Sequence, residues 1–395
     1  MNSNDFLFPD SWHLILLRHC IPIVASLLGN SLPDPDRFVY LCALKKTDYI
    51  IAGHGIAGSV LALTLLDRGK KVLVIDKPSI SASSKIAAGI YNPFNFRWMV
   101  NTWRSREIAP FSAGFYTKAE STLQAKFHFP RSILKILISE KDRRNWESAC
   151  EEKRNLFADP ELFQNDFDGK IAAPFGIGRA RGGGNIDTGV FLPAVREMLR
   201  QKDALLEEKF QGEKLAVDPG GVIYDSRISA SMLINCCGYA ALRDKYFDSL
   251  PLHPVKGQVL QVRIPGLHSE AILNRGVYLL PLSGEEFICG ATYEQGIADE
   301  DCTEEAREDL ISKLKKFVTA EIKVVRQFAG IRPAVIDRRP IAGRHPEFPQ
   351  LAVLNGFGSK AVLLAPWLAD KLVEHLENGA ALPAEVDVAR FSNAQ

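Results

Sequence analysis

The sequence predicts an α/β fold in which a Rossmann-like nucleotide-binding domain carries an inserted domain built on an antiparallel sheet. Three features support this prediction. A glycine-rich turn joins a short apolar run to a helical pattern, a second apolar run ends in an acidic residue, and later segments are rich in strand-like runs. The chain has 395 residues, enough for one large two-part domain or for two domains.

The glycine-rich turn lies in the stretch DYIIAGHGIAGSVLALTLLDRGKKVLVIDK, residues 48–77. Gly53, Gly55 and Gly58 follow an apolar strand in G-x-G-x-x-G order and open a predicted helix. The first glycine permits a tight turn, the second lets backbone approach a pyrophosphate, and the third lets helix pack on strand. Asp76 ends the second predicted strand and is placed to accept hydrogen bonds from the adenosine ribose. The unit therefore predicts a dinucleotide site at a helix N-terminus.

The segment after Asp76 favours FAD over NAD. A nicotinamide enzyme would continue directly with alternating strands and helices, whereas this chain continues with SISASSKIAAGIYNPFNFRWMVNTW, residues 79–103. Small residues allow backbone to approach a large group closely. We therefore expect a cofactor whose far end is a broad ring lying against the protein.

At these residues the chain resembles the D-amino-acid oxidase and glycine oxidase family of flavoenzymes. Four segments carry the resemblance, in the family's order, from about residue 47 to residue 383. They are the nucleotide unit, ASSKIAAGIYNP (82–93), LINCCGYAA (233–241), and AGIRPAVIDRRPIAG (329–343) followed by LAVLNGFGSKAVLLAPWLADKLVEHL (351–376). The closing loop departs from the family because Ser359 and Lys360 replace its further glycines. With FICGATYEQGIADED upstream, the closing segment looks most like the FAD half of a bifunctional tRNA-modifying enzyme.

The resemblance implies that FAD is bound by the four segments. The expected cofactor contacts are Gly53, Gly55, Ile56, Ala57, Gly58, Asp76, Lys77, Ser83, Ser84, Ala88, Gly89, Gly238, Gly356, Gly358, Ser359 and Lys360.

Three residues are candidates for the chemistry. Arg332, in GIRP, falls on the arginine that grips the substrate carboxylate in this family, although a structural ion pair is the alternative. Tyr278 aligns with a tyrosine whose hydroxyl faces the substrate, although it could equally be a core residue; Tyr293 is a weaker candidate for the same wall. Lys360 opens the last long helix and could place a positive charge near the ring, or it could be solvated there.

Other reactive residue types are expected to be structural. Core packing or a solvated turn is the expectation for Arg97, Trp98 and Trp103. The histidines and cysteines have no metal-ligand spacing, so no metal site is expected. Cys236 and Cys237 are predicted to be buried small residues rather than a redox pair.

Composition limits the partners and the compartment. With 48 basic and 47 acidic side chains the net charge is +1, which gives no argument for nucleic acid, although a local basic patch stays open. No run is long enough to span a bilayer, and the cysteine usage fits a reducing compartment, so a cytoplasmic location is expected. The oligomeric state is left open.

The family-like segments divide the chain. Residues 44–98, 180–249 and 328–395 are expected to form the FAD-binding domain, residues 99–179 and 250–327 the substrate domain, and residues 1–43 an extension outside the fold. A signal peptide is the alternative for the apolar run near the start.

The resemblance implies an FAD-dependent oxidoreductase that oxidises the carbon–nitrogen bond of a small amino acid or an N-substituted glycine by hydride transfer to flavin. Oxygen or an electron carrier would be the acceptor. Two alternatives stay open at this point: a tRNA-modifying enzyme that acts on a wobble-uridine side chain, and a flavin-binding subunit without turnover.

Overall fold

The structure is a computed structural model that describes residues 44–77, 83–151, 155–165 and 167–391. The predicted extension at residues 1–43 lies outside the described residues. The helices are α1 Ile56–Asp67, α2 Ser83–Ile86, α3 Ser105–Leu123, α4 Glu140–Glu151, α5 Thr188–Gln201, α6 Glu304–Leu314 and α7 Ala361–Asn378. The strands are β1 Lys45–Ala52, β2 Val72–Ile75, β3 Ile90–Tyr91, β4 Phe94–Asn95, β5 Val100–Asn101, β6 His128–Pro130, β7 Ile133–Ile136, β8 Ile177–Ala180, β9 Gly184–Ile186, β10 Leu205–Leu206, β11 Leu215–Asp218, β12 Gly221–Tyr224, β13 Ile228–Asn235, β14 Leu252–Arg263, β15 Ile272–Arg275, β16 Val277–Pro281, β17 Glu286–Gly290, β18 Glu294–Gln295, β19 Lys323–Val335, β20 Ile341–Arg344 and β21 Leu351–Asn355.

The first sheet is the nucleotide-binding sheet, with strand order β10-β2-β1-β13-β12-β11 and with β21 and β20 continuing from the far end of β13. Strands β10, β2, β1, β13 and β21 are parallel. All four residues of β2 are buried, as expected of a parallel strand covered on both faces. Strand β1 begins at Lys45, before the apolar run, because its charged first residues still pair with the start of β13.

Helices cover this sheet, and they join an early part of the chain to a late one. Helix α1 packs against α7, and α3 packs against the same α7. The ion pairs of Arg68 with Asp370 and Glu374 join α1 to α7 at the rim of this contact. Helix α3 belongs to the predicted substrate part of the sequence, yet its residue Tyr116 lies in the core beneath the nucleotide-binding sheet.

The second sheet is organised around β14. Strand β19 pairs with β14 along one edge, and β17 and β18 pair with its other edge. The sheet continues through β16, β15, β7 and β8, and all its pairs are antiparallel except β15 with β7. Helix α6 covers one face, where Leu310 and Leu314 join a core with Leu260 and Phe287. Together, the two sheets confirm the predicted fold class.

Two small sheets complete the fold: β3-β9-β6, and the hairpin of β4 and β5. Strand β19 passes through the predicted boundary at residue 328, and its second half carries Arg332 from the second sheet towards the first. The division into domains by residue number stays a prediction. Within the described residues, the helices are too short or too polar to cross a membrane.

Candidate active site

A cavity of about 1080 Å³ lies between the two sheets. Most of the predicted site residues line it: Gly53, Gly55, Ile56, Ala57, Asp76, Lys77, Ser83, Ser84, Ala88, Gly89, Gly238, Tyr278, Arg332, Gly358 and Ser359. Gly58, Gly356 and Lys360 lie outside this lining. The cavity therefore joins the glycine-rich turn at one end to the candidate substrate residues of the second sheet.

The glycine turn is shaped by close backbone contacts. Gly53 has a φ of +98°, and a β-carbon there would lie 2.7 Å from the carbonyl oxygen of Cys236. A β-carbon on Gly58 would lie 2.0 Å from the carbonyl oxygen of Gly53. Gly58 therefore allows α1 to begin directly against the turn, which explains why it is absent from the cavity wall. At the helix start, the Ile56 N–H donates to the Ser84 hydroxyl at 3.1 Å.

Asp76 lines the cavity at the end of β2, where it is held by two neighbours. One carboxylate oxygen accepts the backbone N–H of His54 at 2.9 Å, and the other pairs with Arg196. Arg196 also pairs with Glu207 at 2.8 Å, so the guanidinium is shared between two acids. A carboxylate offers about four acceptor positions, so Asp76 keeps capacity for a ribose hydroxyl. Its ribose contact stays a prediction.

The register of the second sheet places Tyr278 and Arg332 on one face. Tyr278 lies opposite Gly290, and Gly290 lies opposite Val259 of β14. Arg332 of β19 lies opposite Val255, which is four residues before Val259 on β14. Residues directly opposite each other, and residues two apart on a strand, share a face of a sheet. Both side chains therefore point into the cavity.

The Arg332 guanidinium lies against the backbone of Gly257. A β-carbon on Gly257 would come within 2.0–2.2 Å of its guanidinium atoms. One guanidinium N–H donates to the carbonyl oxygen of Thr292 at 3.2 Å. Among the residues that the structure describes, no carboxylate lies within ion-pair distance of Arg332. Burial lowers its pKa, but an arginine in a protein stays charged. The cavity thus contains a half-buried cation whose remaining N–H groups can receive an acid.

Tyr278 presents a neutral hydroxyl to the same space. A β-carbon on Gly290 would lie 2.4 Å from the tyrosine oxygen, so this glycine also makes room for a functional side chain. Burial raises the pKa of Tyr278 well above its ordinary value, while the nearby Arg332 charge acts in the opposite direction. The hydroxyl therefore keeps its proton at neutral pH and can donate a hydrogen bond.

The closing loop links the last strand to α7. Gly356 and Gly358 have φ values of +74° and +56°, and the Gly358 N–H donates to the Pro333 carbonyl at 2.8 Å. Gly356 packs against Val335, since a β-carbon there would lie 2.6 Å from that side chain. Lys360 precedes α7 and lines a second cavity of about 670 Å³. Burial lowers its pKa, and the charges of two neighbouring arginines lower it further.

The other residues considered in the sequence analysis are Arg97, Trp98, Trp103 and Tyr293, and their surroundings differ. Arg97 lines the second cavity with Lys360, and Trp98 is 59% exposed. Trp103 packs edge-on against Trp367 of α7. Tyr293 lines the main cavity and is 54% exposed.

Sequence reasoning missed the glycines of the second sheet. Gly257 and Gly290 lie in the strand-like runs KGQVLQV and EFICG. An isolated glycine in a strand signals close approach of another group, and this signal could have identified both positions. The described residues contain no cluster of potential metal ligands, and Cys236 and Cys237 are free thiols there.

The cavity fits FAD in size and in chemistry. Its volume reaches the upper limit of about 1,000 Å³ that is usual for small-molecule pockets, which suits a long dinucleotide with a substrate beside it. The N-terminus of α1 faces one end, where its N–H groups suit a pyrophosphate. The small residues Ala87, Ala88 and Gly89 line the wall next to that end, as close approach of a large group requires.

The family model described as FAD dependent oxidoreductase matches residues 48–375. Glycine oxidase from Geobacillus kaustophilus (strain HTA426) is 24% identical over 88% of this chain and 96% of its own length. A crystal structure of glycine oxidase from Geobacillus kaustophilus superposes with a TM-score of 0.69 at 21% identity, covering 88% of this chain and 98% of that chain.

Two further proteins are similar to this chain. The tRNA 5-methylaminomethyl-2-thiouridine biosynthesis bifunctional protein of Hahella chejuensis (strain KCTC 2396) is 24% identical over 87% of this chain. The match spans 58% of the length of that bifunctional protein. The crystal structure of iminodiacetate oxidase from Chelativorans sp. BNC1 superposes with a TM-score of 0.68 at 18% identity, covering 85% of this chain and 97% of that chain.

Proposed function

Because this chain belongs to the family of FAD-dependent oxidoreductases that includes glycine oxidase, we propose that it oxidises the carbon–nitrogen bond of a small amino acid or an N-substituted glycine. The observation that carries this proposal is Arg332, a half-buried cation in the cavity that has no carboxylate partner among the described residues. A guanidinium that is held ready in this way suits the carboxylate of an amino acid.

Arg332 would fix the substrate through two parallel hydrogen bonds. Its contact with the Thr292 carbonyl uses one N–H, and the other N–H groups of this cavity-lining guanidinium stay available to a ligand. Two parallel bonds define both distance and orientation, so the carbon next to the amine would be held in one place. Partial burial strengthens this interaction, because the competing water is reduced.

Bound FAD would supply the acceptor for the hydride that leaves the carbon next to the nitrogen. The chain's own residues hold the substrate for that transfer and limit the access of water. Tyr278 keeps its proton and would donate its hydroxyl to a substrate oxygen on the same face of the sheet as Arg332. The oxidised product, an imine, would hydrolyse in water to a keto acid or glyoxylate.

The relatives support the substrate class. Glycine oxidase matches along nearly its whole length, and iminodiacetate is itself an N-substituted glycine. Each of these names describes a substrate with a carboxylate close to its nitrogen. That shared feature is the one that Arg332 could recognise.

Anaerobic reduction of the FAD-loaded protein would test the proposal. Glycine, sarcosine, proline, iminodiacetate and a set of D-amino acids would be added one at a time, and bleaching of the flavin absorbance would be followed. We expect one class of these compounds to bleach the flavin. Arg332→Ala should slow bleaching at least a hundredfold at subsaturating substrate, since a charged hydrogen-bonded pair contributes about 3 kcal/mol or more.

Arg326→Ala, on an exposed part of the same strand β19, is the matched control and should bleach like the parent. If Arg332→Ala keeps the parent rate with every compound that bleaches the parent, Arg332 does not anchor the substrate. If no carboxylate-bearing amine bleaches the parent, the proposed substrate class is wrong.

The similarity to the bifunctional tRNA-modifying protein favours a second candidate function. In this candidate, the N-substituted glycine is the side chain of a wobble uridine in tRNA, and Arg332 would hold its carboxylate in the same manner. Filter binding of unmodified and modified tRNA with a salt titration separates the two candidates. A free amine substrate predicts no tRNA retention above background at low salt, whereas tRNA as substrate predicts salt-sensitive retention.

A further inference from the structure

The second cavity, of about 670 Å³, is lined by positive charge. Four cationic side chains face it: Arg97, Lys135, Arg275 and Lys360. Asp142 is the carboxylate in the lining, so four positive charges and one negative charge leave three net positive charges. The cavity borders the main one at Ile90 and Ser359, which line both.

Lys135 is the least exposed of these cations. It lies on β7 in the second sheet and is 9% exposed. Its ammonium group lies 5.7 Å from the centre of the Phe96 ring, a cation–π contact. Within the described part of the chain, it has neither a hydrogen-bond acceptor nor an ion-pair partner. Buried charges in proteins are normally paired, so a missing partner at the cavity wall points to a ligand.

Asp142 attracts the Lys135 charge but makes no ion pair with it, and one of its carboxylate oxygens already has two other partners. It pairs with Arg275 at 3.2 Å and accepts the backbone N–H of Ile138 at 3.2 Å. The Arg275 charge is therefore largely balanced, whereas Lys135, Arg97 and Lys360 remain without a carboxylate within ion-pair distance among the described residues. A concave, partly buried wall with uncompensated charges of one sign concentrates its field on whatever enters.

Neutral donors add to this field. The side-chain oxygen of Asn92 accepts the Phe94 N–H at 2.9 Å, and that of Asn95 accepts the Arg97 N–H at 2.9 Å. These bonds occupy the amide oxygens and leave the NH₂ groups as donors. Both asparagines line the cavity. The wall therefore combines several cations with oriented N–H donors, a combination that suits a multiply charged oxyanion.

We propose that the second cavity is a binding site for a dianion of the phosphate type, next to the cavity that fits FAD and bordering it at Ile90 and Ser359. In this proposal Lys360, which the sequence analysis expects near the flavin ring, faces the dianion. The dianion is either free in solution or a group on the molecule that is oxidised. The chemistry of recognition is the same in both cases: ammonium and guanidinium groups with amide donors around a tetrahedral or similar oxyanion. This site does not depend on the proposed amine oxidation.

Titration calorimetry with inorganic phosphate tests the site in the FAD-loaded full-length chain at constant ionic strength and pH 7. Loading with FAD keeps phosphate away from the dinucleotide site. We expect saturable binding by the parent, and chloride at the same ionic strength should give none. Lys135→Met keeps the apolar stem and removes the charge, so it should weaken phosphate binding at least tenfold.

Two further variants keep the test decisive. Lys316→Met removes an exposed lysine after α6 and should bind phosphate within twofold of the parent. Arg97→Gln changes an exposed residue of the same cavity wall, so it should weaken binding at least threefold and tests the site independently of Lys135→Met. Absence of saturable phosphate binding by the parent would overturn the proposal, as would parent-like binding by both cavity variants.

Competition distinguishes the two sources of the dianion. If the dianion belongs to the oxidised molecule, phosphate should raise the KM for an amine that carries a phosphonate group and leave the KM for sarcosine unchanged. If the dianion is a separate ligand, phosphate should bind in calorimetry and change the two KM values equally or not at all. Either pattern requires the site, and each identifies one source.

Discussion

The guanidinium of Arg332 lies directly over Gly257, on the neighbouring strand of the second sheet. A β-carbon at position 257 would come within 2.2 Å of three guanidinium atoms, so any other residue type would displace the arginine. The backbone pairing of β14 with β19 would persist, because the clash is with the end of a flexible side chain. Position 257 therefore controls where the proposed carboxylate anchor can lie.

Gly257→Ala should raise the KM for a carboxylate-bearing substrate about ten- to a hundredfold while FAD stays bound. Displacement of Arg332 by about an ångström removes the two-point hydrogen-bond geometry, and such a misplacement typically costs about two orders of magnitude in rate. Steady-state kinetics and the dissociation constant for FAD check this prediction. Gly114→Ala is the control, since a β-carbon there has open space and should stabilise α3 by about 0.5–1 kcal/mol.

Asp76→Ala should weaken FAD binding about ten- to a hundredfold without changing the redox chemistry of the flavin that remains bound. Asp76 orders the glycine turn through the His54 N–H, and we expect it to accept a ribose hydroxyl as well. Hydrogen bonds to a charged group contribute about 1.5–3 kcal/mol each. Quenching of flavin fluorescence on titration measures the affinity, and Asp203→Ala, an exposed acid paired with Lys45, should bind FAD like the parent.

Lys135→Met should stabilise the fold at pH 7 in the absence of phosphate. Burial, with the charge of Arg275, lowers the pKa of Lys135 from 10.5 to about 8. At pH 7 the lysine is charged in both states, so the folded state bears a penalty on the order of 3 kcal/mol. The unfolded chain binds the extra proton between pH 8 and 10.5, so parent stability rises across that window and the difference disappears above it. Urea unfolding at pH 7 and pH 10.5 measures this, and equal stabilities at pH 7 would contradict it.

Sulfate binding to the second cavity should weaken as pH rises from 7 to 10. Sulfate keeps its charge over this range, whereas Lys135 loses its proton through about pH 8. The other charged groups facing the cavity are Arg97, Arg275, Lys360 and Asp142. The pKa of Lys360 is also lowered, so it changes in the same direction. We expect at least a tenfold loss of affinity by calorimetry in the parent and a shallower loss in Lys135→Met; a flat profile would exclude Lys135 as a ligand group.

The nucleotide unit was predictable because its signals are local. The glycine spacing, the helix after it and the acid at the end of β2 lie within a single stretch, and each has a direct physical reason. The strand-like runs of the later segments were likewise recognisable, although the strands with which they pair were not. Local patterns therefore identified the elements and their types.

The joint placement of Tyr278 and Arg332 could not be predicted from local patterns. It depends on the register of four strands, β16, β17, β14 and β19, and a shift of one residue in any pair would turn one side chain away. The second cavity could not be predicted from local patterns either, since its cations Arg97, Lys135, Arg275 and Lys360 come from four distant segments. Only the family resemblance suggested Arg332, and nothing in the sequence suggested Lys135.

Helix α7 has a consequence for how the molecule is made. It covers α1, the helix that begins at the glycine turn, and the charged pairs of Arg68 seal the contact. During synthesis, α1 leaves the ribosome long before α7 does. The apolar surface of α1 therefore lacks this partner while most of the chain is still being added. The contact between α1 and α7 therefore forms only after almost all of the chain between them has been made.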